Sequence, residues 1–180
     1  LKGTTLLYQG EELGLPEAQS LTRTEIRDPV GDLYWPISKG RDGSRTPMPW
    51  APGENLGFSS AKPWLPSAPE HRALTVAAQA ADPASTLAFS KALIALRKGS
   101  AALTRGEIAM LPATGQVLAF TRTQGDQQVL CLFNMGAEPA LFEQSGLTGE
   151  SVSLPGLIQA KAAPGRVELA PYGVAFIRRP

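Results

Sequence analysis

The sequence is poor in the groups from which cross-linked or metal-centred sites are built. One cysteine, Cys131, sits inside the apolar run Val129-Leu-Cys-Leu-Phe133, so neither a disulfide framework nor a thiolate cluster is available. A buried free thiol fits that setting and a reducing compartment, and the chain is expected to be cytoplasmic, with no metal and no cofactor. The one histidine, His71, lies outside every motif and reads as a surface or helix-end residue. Net charge is only +1 and no basic stripe is present, which removes nucleic acid as an expected partner. No apolar run approaches the ~20 residues that cross a bilayer, and the first residues lack the plan of a signal peptide, so no membrane partner is expected. Leu1-Lys-Gly-Thr-Thr5 leads at once into an apolar run with no initiator methionine. The chain is therefore expected to begin part-way through a larger protein.

Proline, glycine and charge, by contrast, are concentrated between Leu15 and Pro69, a segment with little sustained periodicity. Loops beyond ~12 to 15 residues inside a compact domain are usually functional, disordered or a sign of a wrong assignment. Tyr34, Trp35, Trp50, Phe58 and Trp64 are spread through it, and rings at this density need burial or a ligand to cover them. Its centre is Gly40-Arg-Asp-Gly-Ser-Arg-Thr-Pro-Met-Pro-Trp50, which sets Arg41 and Arg45 around Asp42 and then stiffens with Pro47 and Pro49. A guanidinium offers a rigid fork of donors suited to carboxylates and vicinal hydroxyls, and proline lowers the entropy cost of ordering a loop. An isolated Arg-Asp-Gly-Ser-Arg reads as a surface turn with a local ion pair; eleven such residues read as a device for holding polar groups still.

Around this block the elements follow from local signals. Thr4 to Tyr8, bounded by Gly3 and Gly10, is a short apolar run of the kind that forms a strand buried on both faces of a parallel sheet. Asp82-Pro83 signals a helix start, with Asp82 as N-cap and a helix over about Ala84 to Lys98 carrying Leu87, Phe89, Leu93, Ile94 and Leu96. Gly99 ends it, and the alanine-rich Arg72 to Ala81 adds a shorter helical segment. Beyond Gly99 come short β-like runs at Glu107 to Leu111, Val117 to Thr123, Gln127 to Asn134, Ala140 to Gln144, Ser151 to Leu154, Arg166 to Leu169 and Gly173 to Arg178. Their spacing argues an antiparallel sandwich, with Gln124-Gly-Asp126 as a hairpin turn.

The Gly40 to Trp50 block, together with Asn55-Leu-Gly-Phe58 and Lys62-Pro-Trp-Leu65, resembles the α-glucosidases and oligo-1,6-glucosidases of the α-amylase clan, glycoside hydrolase family thirteen. Thr5-Leu-Leu-Tyr-Gln-Gly-Glu-Glu-Leu-Gly-Leu15 resembles the eighth barrel strand of those enzymes and its turn. Asp82-Pro-Ala-Ser-Thr-Leu and Leu93-Ile-Ala-Leu-Arg-Lys98 resemble the last barrel helix, and Val117-Leu-Ala-Phe-Thr-Arg-Thr123 an early strand of the following β-domain. The resemblance implies an α/β plus all-β chain: residues 1–100 as the last strand, long loop and last helix of a (β/α)8 TIM barrel, and residues 101–180 as an antiparallel β-sandwich C-terminal domain.

It also implies a retaining α-glucosidase that removes terminal α-linked glucose from short oligosaccharides or disaccharides through an aspartate nucleophile and a glutamate acid/base. Both would precede the eighth strand, so no catalytic residue is expected in this stretch, and alone it should be inactive. The adjacent Glu11 and Glu12 are not that pair, because retention needs two carboxyls about 5 to 5.5 Å apart across the scissile bond. Four residues are implied as substrate contacts. Arg41 corresponds to the arginine that reaches the terminal glucose, Arg45 to one that more often braces the loop with Asp42, and Glu25 and Asp28 border the leaving-group side. The implied partners are an oligosaccharide or disaccharide substrate and the rest of the barrel, with self-association through exposed apolar surface at Leu6, Leu7 and Leu93. Open alternatives are a transglycosylase or isomerase on the same scaffold, a non-catalytic scaffold relative such as the amino-acid transporter heavy chains, and an independent sugar-binding β-sandwich.

Overall fold

The computed structural model describes residues 1–157 and 160–179. Its contacts divide the chain into two compact units, Leu6–Ser90 and Leu1–Thr5 with Lys91–Pro180. No helix among the described residues is long and apolar enough to cross a membrane.

The unit Leu6–Ser90 holds no strand among its described residues; it is built from turns and short helices. Helix α1 (Pro29–Leu33) starts at Asp28, whose carboxylate accepts from the Val30 N–H at 3.1 Å, with Pro29 in the first turn where its missing N–H costs nothing. Short 3-10 segments follow at Asp42–Ser44, Glu54–Gly57 and Pro69–Leu74, then α2 (Val76–Ala81), capped by the Thr75 hydroxyl. Pro49 and Trp50 carbonyls accept from the Val76 and Ala77 N–H groups at 2.9 and 3.0 Å, which satisfies two orphan donors at the start of α2. The buried Gln79 side chain donates to the Leu13 carbonyl at 2.8 Å and accepts from the Leu87 N–H at 3.0 Å. It thereby ties the Glu11–Leu13 turn to the start of α3 (Thr86–Lys98).

Three expectations change here. Thr4 to Tyr8 pairs with no strand among the described residues, and Leu6 is 87% exposed. A parallel strand draws its ladder from neighbours on both sides, and without them an apolar sequence alone makes none. Helix α3 begins two residues late: Asp82 accepts from the Ala84 N–H at 2.8 Å as a local turn, and the Ser85 hydroxyl takes the capping role on Ala88 at 3.2 Å. His71 is buried, not superficial, with its ring Nε2 bonded to the Pro16 carbonyl at 2.8 Å.

In the second unit the residues just after the expected division at 100/101 fold as α4 (Ala101–Arg105), capped by Ser100. Among the described residues eight strands follow: β1 (Glu107–Met110), β2 (Val117–Gln124), β3 (Gln127–Asn134), β4 (Ala140–Glu143), β5 (Glu150–Ser151), β6 (Lys161–Ala163), β7 (Arg166–Leu169) and β8 (Val174–Arg179). They form a sheet ordered β1-β2-β3-β8-β5 and another ordered β4-β7-β6, with every pairing antiparallel. Gly125, at φ 55°, turns the tight hairpin between Gln124 and Gln127.

The register sets Ala119 beside Leu132 and Leu132 beside Ala175, and one step on Leu130 beside Ile177. These side chains meet Phe142, Val167 and Leu169 of the smaller sheet in one buried cluster. The opposite face of β2, β3 and β8 is also covered, in part by α4, and buries Phe120, Val129, Cys131 and Phe176. Burial on both faces explains why β2 and β3 are continuous apolar runs instead of alternating ones. Burial also pushes the Cys131 thiol up to about 11.

One charge enters this second layer. The Arg122 guanidinium is 1% exposed and donates to the Gly106 carbonyl at 3.2 and 2.9 Å and to the Leu1 carbonyl at 2.9 Å. Replacing it with methionine keeps volume but leaves the Gly106 acceptor without its donor. Arg122→Met is expected to lose about 1 to 3 kcal/mol of stability in urea titration with an unchanged slope. A loss below about 0.5 kcal/mol would mean that water replaces the guanidinium there.

Candidate functional site

The polar centre of the unit Leu6–Ser90 is a pair of wholly buried carboxylates, Asp28 and Asp42. One oxygen of Asp42 accepts from the backbone N–H groups of Arg27 and Asp28 at 2.6 and 2.7 Å. Asp28, fixed in this way, accepts from the Arg41 N–H at 3.0 Å and from Arg41 Nε at 2.8 Å, with Nη2 at 3.4 Å. The two chain segments approach closely because both carry glycine. A Cβ on Gly31 would lie 2.4 Å from the Lys39 carbonyl oxygen. At Gly40, φ is 66° and a Cβ would lie 2.9 Å from Asp28 Cβ, so the left-handed backbone and the contact both require glycine.

Arg41 keeps 69% of its side chain exposed while its Nε edge is held by a buried carboxylate. Its Nη1 edge makes no hydrogen bond among the described residues and is free to meet a ligand. The bond from Arg41, and next the Val30 N–H, hold the Asp28 carboxyl well below the usual carboxylate range. Arg45 stands 3.7 Å from both Asp28 and Asp42, which is an ion-pair distance and too long for a hydrogen bond. Arg41, Arg45 and Asp28 thus come together, and Asp28 presents no surface of its own.

Glu25 lies apart from this group. Its carboxylate accepts from the Thr22 N–H at 2.8 Å and the Thr22 hydroxyl at 2.7 Å, which lower its pKa, and it lines a cleft of about 510 Å³ with Arg27, Lys62 and Trp64. Glu11 and Glu12 turn back on the backbone N–H groups of Tyr8 and Gly10. The loop rings remain open: Trp64 is 66% exposed, Tyr34 55%, Trp50 50% and Phe58 48%, so contacts within this chain do not account for them. Among the described residues no cluster of three or more His, Cys, Asp or Glu could hold a metal ion. Sequence reasoning paired Asp42 with Arg45 but missed its larger part, the two backbone donors. The signal available was Asp28-Pro29, a helix-start pair whose own backbone needs fixing.

Residues 1–106 match the family described as Alpha amylase, catalytic domain. The chain belongs to the alpha-amylase family. Within it, the chain is 42% identical over 178 residues to a probable alpha-glucosidase of Rhizobium meliloti (strain 1021), an alignment covering 99% of this chain and 32% of the relative. It is 35% identical over 161 residues to the probable oligo-1,6-glucosidase 2 of Bacillus subtilis (strain 168), covering 79% and 29%. Among solved alpha-amylase-family structures, the alpha-glucosyl transfer enzyme XgtA superposes with a TM-score of 0.88 at 41% identity, over 97% of this chain and 32% of that one. The trehalulose synthase MutB reaches 0.81 at 27% identity, over 99% and 36%. This alpha-amylase-family chain spans about a third of the length of the relatives it matches.

Two outcomes follow from the carboxylate pair. Asp42→Ala strands two backbone donors and is expected to cost about 2 to 4 kcal/mol, with Asp42→Asn costing less because an acceptor remains; thermal unfolding of the three proteins checks the order. Because the folded Asp28 carboxyl is depressed, its contribution is complete above the unfolded value of about 4 and drains away as pH falls below it. In acid titrations between about pH 5 and pH 2, Asp28→Asn should show a shallower fall in stability than the unmodified chain.

Proposed function

We propose that these residues form the C-terminal third of a retaining α-glucosidase and that Arg41 contacts the terminal glucose of its substrate. The observation that carries the reading is the alignment of nearly the whole chain with a probable alpha-glucosidase at 42% identity. In this reading residues 1–100 complete a (β/α)8 barrel, with Thr4 to Tyr8 as its last strand, and residues 101–180 are the β-sandwich domain that follows. The exposure of Leu6, Leu7 and Tyr8 supports it, since an apolar run left open here is what a barrel neighbour would cover.

The chemistry assigned to this stretch is recognition. Hydrolysis with retention needs a nucleophile and an acid/base that the rest of the enzyme supplies. Arg41 offers its free edge to vicinal hydroxyls, and its fixed Nε edge means that little side-chain entropy is lost when sugar binds. Asp28 then acts through Arg41 as a positioning residue, and Arg45 braces both carboxylates. Glu25 borders the leaving-group side. A second reading is transfer of the glucosyl group to an acceptor other than water, favoured by the close superposition on an alpha-glucosyl transfer enzyme.

In the complete enzyme, Arg41→Ala is expected to lower kcat/KM for p-nitrophenyl α-glucoside about ten- to hundredfold with the native fold retained by circular dichroism and a lowered melting temperature, since Asp28 loses its main partner, while this 180-residue chain alone hydrolyses nothing. An unchanged kcat/KM in a correctly folded variant would return Arg41 to a bracing role. Product analysis with an added sugar acceptor separates hydrolysis from transfer.

A further inference from the structure

The cleft beside Glu25 is a second concentration of polar groups, and the carboxylate pair makes no use of it. Three cations line it, Arg27, Lys62 and Arg72, against the single carboxylate of Glu25. None of the three forms an ion pair among the described residues, and the one bond recorded for a charged head is Arg27 Nη1 to the Thr24 carbonyl at 3.3 Å. The whole chain carries a net charge of only +1, so the excess of positive charge gathered here is local and not a property of the surface at large. Arg27 and Lys62 act on the same point in space, because both help to hold the Glu25 carboxyl low after the Thr22 bonds.

Two further groups turn a charged patch into a shaped one. Trp64 lines the cleft with two thirds of its surface open, offering a ring face to the C–H side of a sugar. The Ser67 hydroxyl, also lining it, is shielded from solvent yet has no hydrogen-bond partner among the described residues. A buried hydroxyl without a partner is costly, and a ligand oxygen admitted by a small opening of the cleft wall would supply one. The volume, about 510 Å³, falls in the range of small-molecule sites.

We propose that this cleft binds an anionic sugar, its ring on Trp64 and its phosphate or carboxylate among Arg27, Lys62 and Arg72. The proposal shares Glu25 with the glucosidase reading but is tested by direct binding without turnover, so either can fail without the other. An anion taken up by these guanidinium and ammonium groups displaces no ion pair among the described residues, and Arg27 and Arg72 add directional donors to charge.

The test uses the full 180-residue chain in calorimetric titrations with glucose 6-phosphate, glucuronate, inorganic phosphate and glucose at low salt. Glucose 6-phosphate or glucuronate should bind at least about tenfold more tightly than glucose, and the interaction should weaken as salt rises. The better of the two identifies the anion as phosphate or carboxylate. Arg27→Ala/Lys62→Ala/Arg72→Ala should abolish the preference for the anion, and Trp64→Ala should weaken the sugar anion while leaving inorganic phosphate unchanged. All three cations are exposed and form no ion pair among the described residues, so the triple variant is expected to melt with the parent; Lys62→Ala alone serves as the check should it not. Equal binding of glucose and glucose 6-phosphate, or anion binding that survives the triple variant, would overturn the proposal. Inorganic phosphate binding as tightly as the sugar phosphate, with no effect of Trp64→Ala, would overturn its sugar half.

Discussion

One oxygen of Asp42 bonded to two consecutive backbone N–H groups sets the geometry of the long loop. A carboxylate sealed from water is tolerable only when its charge is met by well-aligned donors, and the donors here belong to the main chain fifteen and fourteen residues upstream. That bond fixes Asp28, and Asp28 does the rest: it caps α1, draws in the Arg41 backbone, and holds one edge of the Arg41 guanidinium. Arg45 lies at equal distance from both acids and balances a site that would otherwise carry two negative charges in a dry place.

The same logic appears, with opposite sign, in the two-sheet unit. There the isolated buried charge is Arg122, and what meets it is not a carboxylate but carbonyl oxygens at Gly106 and Leu1. Backbone dipoles are sufficient because the guanidinium spreads its charge over several donors that can point at fixed acceptors. In both units the buried charges hold backbone.

How much of this was legible depended on how local the deciding interaction was. The strands β2 and β3 were readable from contiguous apolar runs with flanking turns, and β7 from the alternation Arg-Val-Glu-Leu; Lys161–Ala163 was not, since Lys-Ala-Ala is a fully exposed edge with no β-branched residue to mark it. The start of α3 slipped because two capping signals, Asp82 and Ser85, stand three residues apart and only the second continues into the helix. His71 was misplaced for want of any sequence signal: its partner is a carbonyl fifty-five residues away. Thr4 to Tyr8 reads as a strand from its composition, yet a ladder is a property of neighbours and not of one segment. At the site, Arg41 and Arg45 announced themselves by residue type, whereas the depth of Asp28 and Asp42 was set by glycine-permitted contacts at positions 31 and 40 that no charge pattern displays.

The lone thiol gives the two-sheet unit an internal clock. Cys131 lies in a strand covered on both faces, and its proton is held far above neutral pH. Alkylating reagents attack the thiolate, so the rate at which this cysteine is labelled in native buffer counts openings that part β3 from what covers it. With only one sulfhydryl in the chain, that count needs no mutagenesis and no assignment, and any substitution that loosens the sheet registers as faster labelling long before it registers as unfolding.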